Sequence, residues 1–184
     1  HPFGTDNLGR DTLARFFYGS QTTLLASGLA VVIALGTGAL LGLLAGYLRG
    51  FVDEAIMRFM DVILAIPALL LSLTIITGLG FGTLNIAIAV GLASTAAFAR
   101  IMRSQVLSVA TAGYIEAAKL SGARWPSISF RQVLPAAITP VLALAAIEFG
   151  AAVLAISALS FLGFGAPPPQ PEWGALISEG RDYL

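Results

Sequence analysis

The feature that most limits the fold of this chain is a series of long apolar segments that carry almost no charge. No Asp, Glu, Lys or Arg interrupts residues 16–48 or 62–99, and Glu148 is the only charged residue in 133–160. A bilayer core of about 30 Å requires about 20 apolar helical residues. Residues 62–99 are too long for one crossing, and Gly78-Leu79-Gly80-Phe81-Gly82 in their middle is typical of a tight turn. The sequence therefore predicts four membrane spans, at residues 23–48, 62–78, 83–103 and 133–160.

The composition agrees with a membrane protein. Hydrophobic residues make up 57% of the chain and charged residues 11%, against about 25% charged residues in soluble domains. The formal net charge of zero excludes the basic surface that binds nucleic acids. The apolar segments do not alternate with polar residues as the strands of a membrane barrel do, so their backbone groups must be satisfied within helices. We predict an all-α fold, a polytopic membrane helical bundle.

The distribution of positive charge predicts how the chain is oriented. Lys and Arg in short loops mark the cytoplasmic side of a membrane protein. Seven of the ten Lys and Arg residues lie in the loops that join the first span to the second and the third to the fourth. We therefore expect residues 100–132 to form a cytoplasmic loop, and residues 1–22 and 161–184 to be external segments. A separate interfacial helix is predicted over residues 5–19, with Thr5 or Asp6 as its N-cap.

Two of the predicted spans carry small residues at intervals of four. Such a row lets helix backbones approach each other closely in lipid. We expect both rows to be buried against other helices. The rows are Ala34, Gly38, Gly42 and Gly46 in the first span, and Ala87, Gly91, Thr95 and Ala99 in the third.

The sequence offers little material for catalysis. Cysteine is absent and the only histidine is His1, so thiolate sites and His-based catalytic triads are excluded. Lys119 is the only lysine, and the chain lacks a phosphate-binding loop of the Gly-x-x-x-x-Gly-Lys-Ser/Thr type. An intramembrane hydrolase is therefore disfavoured, and we predict no enzyme activity, no metal site and no cofactor in this chain. A transporter and an ATP-independent channel for ions or small solutes remain.

The loop of residues 100–132 is too polar to cross the membrane, yet it contains a strong helix-forming run. Residues 116–121 read Glu-Ala-Ala-Lys-Leu-Ser, and Gly122 follows as a typical helix end. Glu116 lies in the first turn, where the helix dipole favours a negative charge. Because short helices are marginally stable alone in water, this one either docks onto a partner or is merely a solvated or re-entrant loop. The composition leaves both alternatives open.

The same residues resemble the EAA motif, which marks the membrane subunits of binding-protein-dependent ABC importers. The resemblance rests on Glu116-Ala117-Ala118, Gly122 and Leu134-Pro135, with Gln132 where the strict pattern has Ile. The chain is closest to the C-type permease subunit of dipeptide, oligopeptide and nickel importers. Three further stretches resemble that subgroup: residues 4–11, residues 52–67, and residues 160–183 with Ser160-Phe161-Leu162-Gly163-Phe164-Gly165 and Trp173-Gly174.

This resemblance implies a MetI-like ABC transporter transmembrane domain, residues 1–184, that lacks a first and a last helix. It implies an importer of peptides, or of a related small solute such as nickel, in the cytoplasmic membrane of a bacterium or archaeon. The implied partners are a second, different permease, two cytoplasmic ATPase subunits that bind ATP and Mg, and an external solute-binding protein. The implied coupling helix, which contacts the ATPase, comprises Glu116, Ala117, Ala118, Lys119, Leu120, Gly122 and Arg124.

Two residues within the spans are candidates for the substrate path, and each has a structural alternative. An ionised carboxylate at the centre of a membrane helix costs about 2.5–3.5 kcal/mol on insertion scales, so Glu148 should face protein or water. It either lines the path, where it attracts a cationic amine or a metal, or makes an interhelical hydrogen bond. Pro67 removes a backbone donor and predicts a kink in the second span. The kink either lines the path or is purely structural.

Overall fold

The computed structural model describes residues 3–6, 8–167 and 169–181, without the side chain of Lys119. Within these residues the chain is almost entirely helical, which confirms the all-α prediction. One turn of π-helix, Ser129–Val133, joins α6 to α7, so that Trp125–Phe161 is a continuous helical segment. The α-helices are α1 (Thr12–Leu48), α2 (Gly50–Ala65), α3 (Ala68–Leu79), α4 (Thr83–Val109), α5 (Gly113–Leu120), α6 (Trp125–Ile128), α7 (Leu134–Phe161) and α8 (Trp173–Gly180).

Helix α1 is longer than the sequence predicts, because no separate interfacial helix precedes it. Its N-cap is Asp11, whose Oδ1 accepts hydrogen bonds from the backbone N–H of Leu13 at 2.9 Å and of Ala14 at 3.3 Å. Asp6 instead accepts from the backbone N–H groups of Leu8 and Arg10, which holds the residues before α1 in a turn. The predictions of a helix over residues 5–19 and of a cap at Thr5 or Asp6 are therefore wrong.

Pro67 breaks the second crossing sharply. Helices α2 and α3 meet there with a bend of 97°. Ile66 has φ −96° and ψ 129°, the extended conformation that a following proline imposes. At 1.5 Å per residue the two arms are about 24 Å and about 18 Å long, and at this angle their far ends lie about 30 Å apart. The bent pair is thus long enough to cross a bilayer core.

Contacts at both ends of the bundle show that α2 and α3 do cross it. Near the end of α4, Arg103 donates to Asp53 in α2, with Nε–Oδ1 and Nη2–Oδ2 distances of 2.5 and 2.6 Å. At the opposite end the ring of Phe81, after α3, stacks on Phe164, after α7, with centroids 5.6 Å apart. Three other helical segments are long and apolar enough to span a membrane, namely α1, α4 and Trp125–Phe161. The described residues therefore contain three helices that could span a membrane, and a fourth crossing if the bent pair is one span, which agrees with the prediction of four.

Helices α1 and α4 run in parallel and form the closest seam of the bundle. A Cβ added at Gly38 would lie 2.5 Å from Phe98 Cβ, and one at Gly46 would lie 2.8 Å from Val106 Cγ1. The hydroxyl groups of Thr37 and Thr95 are hydrogen-bonded across the seam at 2.9 Å. Both rows of small residues are buried here, as the sequence predicts.

Candidate functional site

The polar excursion between α4 and α7 is more compact than the sequence suggests. Helix α4 continues to Val109, and helix resumes at Trp125, so the excursion proper comprises α5 and the turns on either side of it. Gly122 has φ +77°, and the N–H of Ala123 donates to the carbonyl oxygen of Ala118 at 3.2 Å. This bond closes α5 in the way typical of a glycine-ended helix. The predicted helix and its end at Gly122 are confirmed.

Helix α5 is anchored in the bundle mainly by one buried side chain, and Ala118 is half-buried against the same cluster. Ile115 is fully buried, and it belongs to the same buried apolar cluster as Phe98, Met102 and Val106 of α4 and as Val133 of the π-turn before α7. Ile128 of α6 is buried in that cluster as well. A force applied to α5 therefore acts on well-packed side chains of two membrane helices, since protein interiors are dense and transmit strain.

The opposite face of the same excursion is exposed and partly apolar. The exposed fraction is 90% for Leu120, 52% for Tyr114 and 48% for Trp125. Glu116 and Arg124 are exposed beside them. Large apolar side chains rimmed by charged ones mark surfaces that bind another protein. We call this surface, formed by Tyr114, Glu116, Leu120, Arg124 and Trp125, the α5 face.

The implied contact residues fall mainly on exposed positions, and one lies outside the description. Glu116, Ala117, Leu120, Gly122 and Arg124 are exposed, and Ala118 is half-buried. The side chain of Lys119 is outside the described part of the structure. Ile115 and Ile128 are not among the predicted contact residues, although Ile115 is one of the apolar residues at helical spacing within the polar loop. That spacing was the available signal for an anchored rather than a floating helix.

Glu148 and the Pro67 bend border the same cleft. Glu148 lies near the middle of α7 and is half-buried. It lines a cleft of about 350 Å³ whose walls also include Leu64 and Ala68, the residues on either side of the bend. The remaining walls are formed by α3, α4 and α7. Glu148 thus lines the cleft directly, whereas Pro67 does not line it and only its neighbours in the chain do.

A cluster of charged residues connects the first turn of α1 to α8, on the side of the bundle away from α5. Arg15 is buried, with 8% of its surface exposed, and donates to Glu179 in α8 and to Asp6. Hydrogen bonds from Arg15 hold the pKa of Glu179 below its ordinary value. Burial raises the pKa of Asp6, but hydrogen bonds from Arg10 and from the N–H of Leu8 outweigh this effect and lower that pKa to about 2. Both carboxylates thus stay ionised at neutral pH.

Glu172 fastens α8 to the bundle a short distance away. It is 1% exposed, and its carboxylate accepts hydrogen bonds from the hydroxyl of Ser160, at 2.7 Å, and from that of Thr83. The neighbouring Trp173 donates from its indole N–H to the carbonyl oxygen of Phe16 and stacks on that ring. The role of Glu172 is not visible in the sequence, because its partners are 12 and 89 positions away.

Comparison with known proteins gives the same family for most of the chain. A family model described as "Binding-protein-dependent transport system inner membrane component" matches residues 38–181. The glutathione transport system permease protein GsiD of Pectobacterium atrosepticum is 39% identical over 184 residues, which is 100% of this chain and 61% of that protein. The di/tripeptide transport system permease protein DppC of Pseudomonas aeruginosa is 42% identical over 181 residues, 98% of this chain and 60% of that protein. The chain thus spans about three fifths of the length of these relatives.

Solved structures share the fold. The methionine ABC transporter MetNI in inward-facing conformations aligns with a TM-score of 0.75, over 92% of this chain and 81% of that chain, at 19% identity. A structure described as an amino acid ABC transporter with histidines aligns with a TM-score of 0.68, over 94% and 81% of the two chains, at 22% identity. This likeness shows a MetI-like transmembrane domain.

Proposed function

Since this chain belongs to the family of inner membrane components of binding-protein-dependent transport systems, we propose that it is a permease subunit of an ABC importer for short peptides. The cargo class follows from the relatives, one named for glutathione, itself a tripeptide, and another for di- and tripeptides. On this proposal the chain forms part of the translocation path in the cytoplasmic membrane. It does not hydrolyse ATP itself.

The observation that carries the proposal is the two-sided character of α5. Its exposed side presents Leu120 and Glu116 for a partner, and its buried side places Ile115 among side chains of α4 and the start of α7. A helix that binds a partner on one side and packs against the bundle on the other transmits the movement of the partner to the membrane helices. A merely solvated loop needs no such anchor, so the anchor favours the docking alternative.

The proposed function requires partner subunits. The α5 face binds one of two cytoplasmic ATPase subunits, which hold ATP and Mg, while this chain holds no cofactor. Glu116, in the first turn of α5, pairs with a basic group of the ATPase. Lys119 and Arg124 are further contacts. A second permease completes the path, and an external solute-binding protein delivers the peptide.

The cleft beside Glu148 and Pro67 is the candidate substrate path within this chain. Ionisable residues inside a membrane bundle are costly to keep there, and they occur along substrate and ion paths. The Pro67 bend contributes by keeping α3 out of line with α2, which leaves room between α3, α4 and α7.

The proposal is tested by separating ATP hydrolysis from uptake in the complete importer, reconstituted in proteoliposomes. Glu116→Arg reverses the charge on the α5 face, and Gly122→Val places a branched side chain where φ is +77°. Both variants are expected to lower dipeptide uptake at least about tenfold, the scale of a lost interface hot spot, while the permease still inserts into the membrane. ATP hydrolysis should continue without driving uptake.

Gln170→Arg is the matched control, because it introduces a charge at an exposed position on the opposite side of the bundle. It should leave coupling between hydrolysis and uptake unchanged. Normal ATP-driven uptake by both α5 variants would contradict the proposed role of α5. Solute flux through this permease in the absence of any ATPase would favour the channel alternative.

A further inference from the structure

The cleft beside Glu148 has the dimensions and lining of a small-ligand site. Its volume of about 350 Å³ lies within the range of about 300–1,000 Å³ that is usual for such pockets. The space exists because α4 and α7 face each other there with alanines rather than larger residues. The apolar lining consists of Leu64, Ala68, Leu69, Val90, Ala93, Ala97, Ala151, Ala152 and Ala155, and the polar lining consists of Ser72, Ser94 and Glu148.

The polar groups in this cleft are unused by the described part of the chain. Glu148 makes no hydrogen bond or ion pair with any described residue, and neither does the hydroxyl of Ser94. Ser72 donates its hydroxyl proton to the carbonyl oxygen of Ala68 at 2.8 Å, so its oxygen lone pairs remain available as acceptors. The interhelical hydrogen bond that was the structural alternative for Glu148 is therefore absent among the described residues. The cleft presents three acceptor groups and no basic residue.

This chemistry selects a cation with several N–H donors. An ammonium group carries three donors and one positive charge, which matches one carboxylate and two hydroxyl oxygens. A transition metal is a poorer match, because the described residues contain no group of three or more His, Cys, Asp or Glu that could hold one. The rest of the lining is apolar and suits the small side chains of a short peptide.

We propose that the cleft formed by Glu148, Ser94 and Ser72 binds the N-terminal ammonium group of the transported peptide. This inference rests on the proposed function for the identity of the cargo, but the ammonium site is defined by the cleft itself. Glu148 acts as the charge-pairing residue, and the two serines orient the ammonium by accepting its remaining hydrogen bonds. The site would favour peptides with a free amino terminus at the stage when they cross the membrane.

The site is tested with two dipeptide amides, which carry no charge at the C-terminus and differ only at the amino group. Alanyl-alanine amide has a free ammonium group, and N-acetyl-alanyl-alanine amide does not. The complete transporter in lipid nanodiscs, without the solute-binding protein, is perfused with each probe while infrared difference spectra of the carboxylate region are recorded. The free amine should perturb a carboxylate band that is missing in Glu148→Gln, and the acetylated probe should not. Glu54→Gln, at an exposed glutamate of α2, should retain the band.

Measurements of peptide uptake provide a second test of the ammonium site. Uptake of alanyl-alanine by the complete importer should fall about tenfold in Glu148→Gln, because a hydrogen bond to a charged group is lost, and should be unchanged in Glu54→Gln. If Glu148→Gln does not assemble, Ser94→Ala replaces it and should weaken binding of the free amine several-fold. Unchanged affinity in Ser94→Ala would overturn the inference.

The two proposals fail in different ways. A carboxylate band that is the same for both probes, or that persists in Glu148→Gln, overturns the ammonium site while leaving the import function intact. A nickel-dependent band without an amine-dependent one also overturns it. If the amine-dependent band is seen in a transporter that takes up no peptide, the ammonium site is supported and the proposed import of peptides is contradicted.

Discussion

Arg15 and Glu179 are joined by a two-pronged ion pair, although 164 positions separate them. The Nη1–Oε2 distance is 2.5 Å and the Nη2–Oε1 distance is 3.0 Å. The pair connects the first turns of α1 to α8, and Asp6 adds a third partner, with Nη1–Oδ2 at 2.8 Å. The first turn of α1 and α8 are thereby held together on the side away from α5, so α8 is a fixed cap on that side of the bundle.

Glu179→Gln should loosen this cap. The change leaves Arg15 buried with less compensation, which costs several kcal/mol for a fully buried pair. Because the side chain of Glu179 is 39% exposed, solvent screening reduces the expected loss in the free energy of unfolding to about 1–2 kcal/mol. Glu54→Gln is the control, since the Glu54–Arg58 pair is mostly exposed and should contribute less than about 0.5 kcal/mol. Thermal unfolding of the purified permease measures both, and equal effects would contradict the assignment.

The same cluster predicts how stability depends on pH. The pKa of Asp6 is lowered to about 2 and that of Glu179 is also lowered, so their stabilising effect is complete above the ordinary carboxyl pKa of about 4. It is lost as the pH falls through the lowered values. The difference in melting temperature between the unmodified chain and Asp6→Asn should therefore be constant from about pH 7 to about pH 5 and shrink below about pH 4. A difference that already shrinks between pH 7 and pH 5 would refute this prediction.

Gly42→Ala and Gly36→Ala should have opposite effects on stability. A Cβ at Gly42 would lie 2.7 Å from Met102 Cβ and 3.0 Å from the backbone nitrogen of Arg103, so the α1–α4 seam must open. We expect a loss of about 1–3 kcal/mol in the free energy of unfolding. Gly36, six residues earlier and on the exposed face of α1, has open space, and alanine there should gain up to about 1 kcal/mol. Denaturant titration in detergent compares the two, and a matched loss would disprove the close contact.

Ile115→Ala and Leu120→Ala should separate anchoring from docking. Ile115 is buried in the core cluster, so its truncation should cost about 2–5 kcal/mol and loosen α5, as hydrogen exchange of α5 amides would show. Leu120 is 90% exposed, so its truncation should change stability by less than about 0.5 kcal/mol and weaken binding of the ATPase. The affinity of the ATPase for the permease in nanodiscs is the second measurement. Full affinity in Leu120→Ala would count against the α5 face.

Pro67→Ala should straighten the second crossing. It restores a backbone donor and removes the restriction on Ile66, so α2 and α3 are free to form one helix. The chain has no native cysteine, so spin labels at Phe59→Cys and Thr74→Cys, both exposed, report the distance between the two arms directly. That distance should increase in Pro67→Ala. Insertion into the membrane should be unaffected, and an unchanged distance would show that contacts with α4 alone set the bend.

The sequence was sufficient to predict what local patterns control. Uncharged length predicted the crossings, Gly80 and Gly82 predicted the turn between α3 and α4, and Gly122 predicted the end of α5. Some of the missed features depend on competition between neighbouring residues for hydrogen bonds, and others on pairs that are distant in the chain. Asp11 and not Asp6 caps α1, because the backbone N–H groups of Leu8 and Arg10 already occupy Asp6.

The features around the candidate site show the same division. The α5 helix was visible as a run of helix-forming residues, but the burial of Ile115 depends on Met102 and Val133, which only the fold brings together. The cleft beside Glu148 likewise requires α3, α4 and α7 to be placed around it. Glu148 is recognisable in the sequence because it is a charged residue within a predicted span. The cleft in which it lies depends on the alanines of α4 and α7, which only the fold brings together.

The α1–α4 seam has a mechanical consequence for any working cycle of this domain. At each of Gly38, Gly42 and Gly46 the nearest atoms of α4 lie within 3.0 Å of the position that a Cβ would take, so the seam has no room for a side chain at these three positions. We therefore expect the two helices to move together in any working cycle. The connections around them, which include the break at Arg49, the Pro67 bend and the glycine turn at Gly80–Gly82, are where a change of angle between helices would be absorbed.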